Sequence, residues 1–266
     1  MVECPAAHPA LPALFDPRVP DNPALWAVFN GRHAGRAVVD NVQHPSQCVV
    51  RTDAVLTFCS RQISIAFLNE AVAHFRHIGP IWLIWPSAAS SPPLTSPATQ
   101  VTQRLGFSDC DPESAVLADW RRLPDGFEIR PIDRDLLERC EWRSDIEFYG
   151  SSLDNFLANG IGLCLMRGDG GTVGDEIIVE AYASSLGETH AEIGAITREA
   201  HRGHGYAPIA CAYLIEACAR RGYQAYWSCD ADNLASARVA RKLGFRQEQA
   251  YQILEYGPLE ATGAVS

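Results

Sequence analysis

Arg202-Gly203-His204-Gly205-Tyr206-Ala207, with Pro208 directly after it, is the stretch from which the rest of the chain is read. Before it, Ala191-Glu192-Ile193-Gly194-Ala195-Ile196 is compact and suits a β-strand. After it, Ile209 to Arg221 has a helical pattern. A strand, a glycine-bearing turn and a helix N-terminus make an anion cradle, because the amides of the turn and the helix dipole converge on one spot. Glycine removes the Cβ that would keep a phosphate from the backbone. Proline in the first helical turn gives up no hydrogen bond. The same hexapeptide also fits a plain strand-to-helix connection. A P-loop is excluded by the lack of Gly-Lys-Ser/Thr, and a dinucleotide-binding turn by the lack of Gly-x-Gly-x-x-Gly spacing.

The residues downstream decide between these readings. Tyr223 to Cys229 is a short strand rich in aromatics. A helix then begins at Asp232 or Asn233, either of which is a good N-cap, and Gly244 is placed to end it. Arg246 to Glu248 and Ala250 to Tyr256 read as a closing pair of strands.

In this order the chain resembles the GNAT superfamily of acyl-CoA-dependent N-acyltransferases. Arg202-x-x-Gly205-x-Ala207 matches the pyrophosphate motif, and Asn233…Ala237…Leu243-Gly244-Phe245 the later motif. The strong resemblance covers Glu128 to Tyr256. Asn30 to Asp40, Asn-Gly-Arg-His-Ala-Gly-Arg-Ala-Val-Val-Asp, is similar to the N-terminal signature of two-part bacterial members. The resemblance implies an α+β fold with a mixed, mostly antiparallel sheet flanked by helices, in a tandem of two GNAT-like units. It implies acetyl-CoA as cosubstrate and an amine as acceptor.

The resemblance also assigns residues. It places the pyrophosphate on Arg202, Gly203, His204, Gly205, Tyr206 and Ala207. The thioester carbonyl falls to amides in Ala195, Ile196 and Thr197. The pantetheine arm runs between His190–Thr197 and Tyr223–Cys229, within reach of Asn233 and Ser236; Asn233 also serves as a helix cap. Glu192 is the matching general base, with Glu180 in reserve and His190 a third candidate. Glu192 also reads as a solvent-facing strand carboxylate. Many members carry a tyrosine as acid four residues before the glycine of Leu-Gly-Phe, and here that position is Ala240. That departure leaves open proton delivery from water, or a chain without turnover.

A net charge of −10 argues against nucleic-acid or membrane-surface partners and suits a cationic amine. No apolar run has the length of a membrane span, and the N-terminus lacks a basic, then apolar, leader. Nine cysteines without a Cys-x-x-Cys pair read as buried thiols in a reducing, cytoplasmic setting. No metal is expected, since His74 and His77 have no third ligand nearby. The small-molecule amine reading stands beside two others, a protein or peptide acceptor and a CoA-binding protein without turnover.

The expected division is 1–123, a degenerate GNAT-like domain, and 124–266, the catalytic domain, separated at Pro124-Asp125-Gly126. In the first part, strands are expected at 36–39, 48–51, 55–59 and 81–85, and helices at 25–30, 63–77 and 98–105, the last ending Leu105-Gly106-Phe107. In the second, a strand at 127–130 precedes helical stretches at 133–139 and 145–158. Strands at 160–166, 176–184 and 190–197 follow, with a hairpin turn at Gly168-Asp169-Gly170-Gly171. Strand–helix–strand–helix–Leu-Gly-Phe occurs at 55–107 and again at 193–245, which suggests duplication. The first copy has no glycine between Gly35 and Gly79, so it is not expected to form a cradle.

Overall fold

The computed structural model describes residues 1–149, 152–168 and 175–259. The expected hairpin turn after Gly168 lies outside them. In chain order the elements are β1 (Val2–Pro5), α1 (Asn22–Phe29), β2 (Gly35–Val39), β3 (Cys48–Thr52), β4 (Leu56–Cys59), α2 (Ile65–Ile78), β5 (Ile81–Trp85), β6 (Gln100–Ser108) and α3 (Ala115–Trp120). They continue with β7 (Phe127–Pro131), α4 (Arg134–Arg139), α5 (Arg143–Tyr149), α6 (Leu153–Asn159), β8 (Gly162–Arg167), β9 (Glu176–Leu186), β10 (His190–Thr197), α7 (Tyr206–Arg220), β11 (Gln224–Asp230), α8 (Leu234–Lys242) and β12 (Gln247–Tyr256). The class is α+β, and the strand pairings are mostly antiparallel, as expected.

Two compact units are present. The first comprises Met1–Leu105, Asp230–Asp232 and the chain from Gln249; the second comprises Gly106–Cys229 and Asn233–Glu248. The expected boundary at 123/124 therefore falls inside the second unit, and the C-terminal strand belongs to the first. Pairing across a long stretch of sequence causes this difference: residues 252–256 of β12 pair antiparallel with β5, from Gln252 opposite Trp85 to Tyr256 opposite Ile81.

In the first unit the order runs β1-β2-β3-β4-β5-β12. The pleat sends alternate residues to opposite faces. Ala37, Val39, Cys48, Val50, Phe58 and Ile84 pack with Leu25 and Val28 of α1. Val38, Val49, Ile81 and Leu83 pack with Phe67, Leu68, Val72 and Phe75 of α2. Each buried Val, Leu, Ile or Phe among these contributes roughly 1.5–3 kcal/mol.

In the second unit the order runs β11-β10-β9-β8-β7. Cys164, Met166, Ile177 and Tyr182 face Leu136, Leu137, Ile146 and Phe156 of α4 to α6. Helix α7 packs against β8, β9 and β10. It buries Ile209, Ala210, Cys211, Ala212, Leu214, Ile215 and Cys218, and Gly222, at φ +83°, follows its end.

Three local expectations are corrected. Residues 98–105 are not a helix, because 100–108 form β6. A Cβ on Gly106 would lie 2.3 Å from the Tyr226 hydroxyl, so this glycine admits a tyrosine rather than ending a helix. The stretch 145–158 splits into α5 and α6, with Ser152 capping α6 through the Asn155 amide at 3.1 Å. The closing strands are one strand, β12. The repeat holds at the level of strand, helix and parallel strand: β4-α2-β5 pairs Leu56 with Trp82, and β10-α7-β11 pairs Ala191 with Ala225.

Candidate active site

The parallel ladder between β10 and β11 has three rungs: His190 with Gln224, Ala191 with Ala225 and Glu192 with Tyr226. Past Glu192 the two strands share no register, while β10 continues along β9 as far as Thr197 opposite Val179. The register with β9 shifts between Glu192 and Ile193, leaving Ser184 of β9 as the extra residue of a bulge where the pairing with β11 ends. The Arg198 amide donates to the Ile178 carbonyl of β9 at 3.0 Å. Main-chain groups alternate along a strand, so Gly194 and Ile196 address β9, and Ala195 and Thr197 address the side from which β11 has parted. Arg202 Nε donates to the Thr197 carbonyl at 3.2 Å, which agrees with that direction. Of the three residues expected to offer amides to the opening, Ile196 is turned away.

The turn before α7 has the conformation that its glycines predict. Gly203 and Gly205 have φ +82° and +80°, and a Cβ on either would meet nothing within 4 Å. They are needed for backbone conformation, and the space before them is open. Gly205 is the N-cap and offers no side chain, so among the described residues no side-chain cap bonds the first amides of α7. Pro208 lies in the first turn and is buried. His204 Nδ1 lies 3.0 Å from the Arg202 carbonyl, and its ring stacks on Tyr206 at 5.7 Å. The Tyr206 ring meets Phe127 at 5.1 Å. These contacts hold the cradle's shape and leave the amides of Tyr206 and Ala207 at its floor.

Glu192 is half-buried on the last rung, and its Oε1 accepts from Ser228 Oγ at 2.7 Å. Glu180 is only 1 % exposed. It accepts from the Glu141 and Trp142 amides at 2.7 and 3.0 Å and pairs with Arg198 at 2.9 Å. These contacts make Glu180 an anchor for the segment between α4 and α5. Tyr182 lies opposite Gly194, with Trp142 edge-on to it at 5.5 Å. Burial, then Asp145, Tyr149, Glu192 and Glu180, push its hydroxyl well above the usual tyrosine range. Both carboxylates thus act on one tyrosine of one sheet face. His190 is half-buried at the start of β10, with Nδ1 2.9 Å from Thr189 Oγ1, and burial lowers its pKa.

Asn233 caps α8 through the Ser236 amide at 3.1 Å. Ser236 Oγ accepts from Trp227 Nε1 at 3.0 Å, which ties α8 to β11. Ala240 is fully buried in α8. Ser228 and Trp142 were not singled out in the sequence; the signal for Ser228 was its position two residues after Tyr226, on the same face of a strand. At the matching turn of the first unit two of the donors are already used. The Ser64 amide donates to Gln47 Oε1 at 2.7 Å, and Ser64 Oγ caps the Phe67 amide at 3.2 Å.

The profile of the family described as GNAT acetyltransferase matches residues 93–254, more than half of the chain. The chain belongs to the GNAT acetyltransferase family. A relative, the uncharacterized N-acetyltransferase YdfB of Bacillus subtilis (strain 168), is 29 % identical over 138 residues. That match spans about half of this chain and about half of the relative, 51 % of each. Among solved structures, a GCN5-related N-acetyltransferase-like protein from Streptococcus suis 89/1591 has a TM-score of 0.66 at 25 % identity, covering 94 % of this chain and 98 % of that one. A tandem GNAT protein from the clavulanic acid biosynthesis pathway has a TM-score of 0.62 at 13 % identity, covering 96 % and 94 %; at that identity it shares the fold. Among the described residues, no helix is long and apolar enough to cross a membrane, and no group of three metal-ligating side chains is found.

Proposed function

We propose that this GNAT chain is an acetyl-CoA-dependent N-acetyltransferase that transfers to the amine of a small molecule directly, in a ternary complex. One observation carries the reading. The opening between β10 and β11 leads from an uncapped glycine cradle to the carboxylate of Glu192 within a single unit. The cradle fits a pyrophosphate, since among the described residues no side-chain cap bonds its amides and its glycines leave room at the surface. Acetyl-CoA would supply the activated acyl group. The amides of Ala195 and Thr197 would bond the extended arm and polarise the carbonyl. Glu192 would take the proton from the attacking amine. Glu180 stays occupied with Arg198 and the two amides, so Glu192 is the base of choice.

A second reading, a CoA-binding GNAT protein without turnover, is favoured by the buried Ala240 where many members have tyrosine. Thermal-shift titration with CoA, followed by thiol release from acetyl-CoA over a panel of small amines and N-terminal peptides, separates the readings. Binding with amine-dependent thiol release supports the transferase. Binding without release from any acceptor supports the second reading.

A further inference from the structure

Where backbone pairing between β10 and β11 stops, a side-chain hydrogen bond takes over. Ser228 lies two residues beyond Tyr226, the last paired residue of β11, and donates to Oε1 of Glu192, the last paired residue of β10. The 2.7 Å separation is a normal distance for a hydroxyl donor and is compatible with a carboxylate acceptor. The bulge between β9 and β10, whose extra residue is Ser184 of β9, falls at the same point of the sheet. Ser184 Oγ, on β9, donates to the Glu192 carbonyl at 3.3 Å and holds the backbone at the same point.

We propose that Ser228 is a positioning residue for Glu192, whose carboxylate it holds, ionised and oriented, across the mouth of the parted strands to receive the proton of the incoming amine. This rests on the transferase reading above. The amine attacks the acyl carbon as its nitrogen becomes cationic. The Glu192 carboxylate takes that proton, the carbon–sulfur bond breaks, and the thiolate is protonated by solvent. Ser228 keeps its own proton throughout and acts only through Glu192.

Other charged groups meet on this face. Tyr226 of β11 is paired with Glu192 itself, Tyr182 of β9 stands opposite Gly194, and Glu180, paired with Arg198, lies two residues from Tyr182. Asp145 and Tyr149 of α5 act on the same tyrosine. His190 is two residues before Glu192 on β10. The carboxylates of Glu180 and Glu192 both act on Tyr182, and a hydrogen bond donated by Ser228 favours the charged form of the Glu192 carboxylate.

The test compares the full chain with Ser228→Ala, Ser228→Thr, Glu192→Gln and the Ser228→Ala/Glu192→Gln double variant. The Glu192 carboxyl is titrated by carbon NMR, assigned through its loss in Glu192→Gln, and kcat is measured against pH. Ser228→Ala should raise the Glu192 titration midpoint and lower kcat at pH 7 about tenfold, the equivalent of about 1.4 kcal/mol. The loss should grow toward acid pH, and CoA affinity should stay within about twofold. Ser228→Thr, which keeps the hydroxyl, should restore most of the rate. In the Glu192→Gln background, Ser228→Ala should have little further effect, because residues acting as a unit are not additive. An unmoved Glu192 midpoint, or the same tenfold loss in the Glu192→Gln background, overturns the Ser228 proposal in an active enzyme. A wild-type chain that binds CoA but releases no thiol with any amine of the panel overturns the transferase reading instead.

Discussion

Oε1 of Glu180 lies 2.9 Å from the Arg198 guanidinium and also accepts from the Glu141 amide, while Oε2 accepts from the Trp142 amide. These three donor contacts satisfy a buried charge that would otherwise be costly. The same pairing links β9 to the start of α5 and so sets the face on which Tyr182 and Trp142 meet.

Replacing Glu180 by Gln should therefore act on stability before chemistry. Its amide group cannot accept from every donor now served, and a loss of about 2–3 kcal/mol is expected in urea unfolding. A fold as stable as wild type would show that this anchor does little.

Gly205→Glu should cut CoA affinity more than tenfold, a change of only about 1.4 kcal/mol. The substitution brings a carboxylate to the phosphates and a side chain to a backbone at φ +80°. Calorimetric titration is the measurement. A folded variant that binds CoA as wild type would remove the pyrophosphate assignment.

Glu192→Gln keeps the shape of the side chain and removes the base. CoA binding should be near normal and turnover about a hundredfold lower at pH 7. An alkylamine with a pKa of roughly 10 is mostly protonated there, so the deficit should narrow as pH rises. Full activity at neutral pH on the true acceptor would end the role of Glu192.

The first unit should bind no CoA, so titration should saturate at one CoA per chain. Its turn lacks glycine, and Gln47 and Ser64 already occupy donors that a phosphate would need. A stoichiometry of two would contradict this.

Asp40 makes the first unit sensitive to acid. Partial burial would raise its pKa, but bonds from the Ser46 hydroxyl and the amides of Ser46, Gln47 and Asn41 outweigh it and bring the value to about 2. A carboxyl whose folded value is depressed stabilises the fold above its unfolded value, about 3.9, and loses that contribution as pH falls toward the folded value. Asp40→Asn should therefore be less stable than wild type at pH 7, with the difference closing between about pH 4 and pH 2. A difference that is constant with pH would show that the charge on Asp40 is not what holds this loop.

The cradle was legible in the sequence because it is local. Arg202 to Ala207 need only their own backbone, two glycines with positive φ and the helix they start, and the same holds for Asn233 capping α8. Alternation and capping within a few residues also determined most strands and helices. Tertiary structure decided what depends on distant partners. Leu105-Gly106-Phe107 resembles Leu243-Gly244-Phe245, yet one glycine admits the Tyr226 hydroxyl from 120 positions away and the other, at φ +86°, follows a helix. The return of β12 to β5, the enclosure of Glu180 and the bond from Ser228 to Glu192 arise the same way. A carboxylate on a strand carries no mark of its partner in its own sequence, since the pleat sets only which face it takes and the packed neighbours set whether it is an anchor or a base.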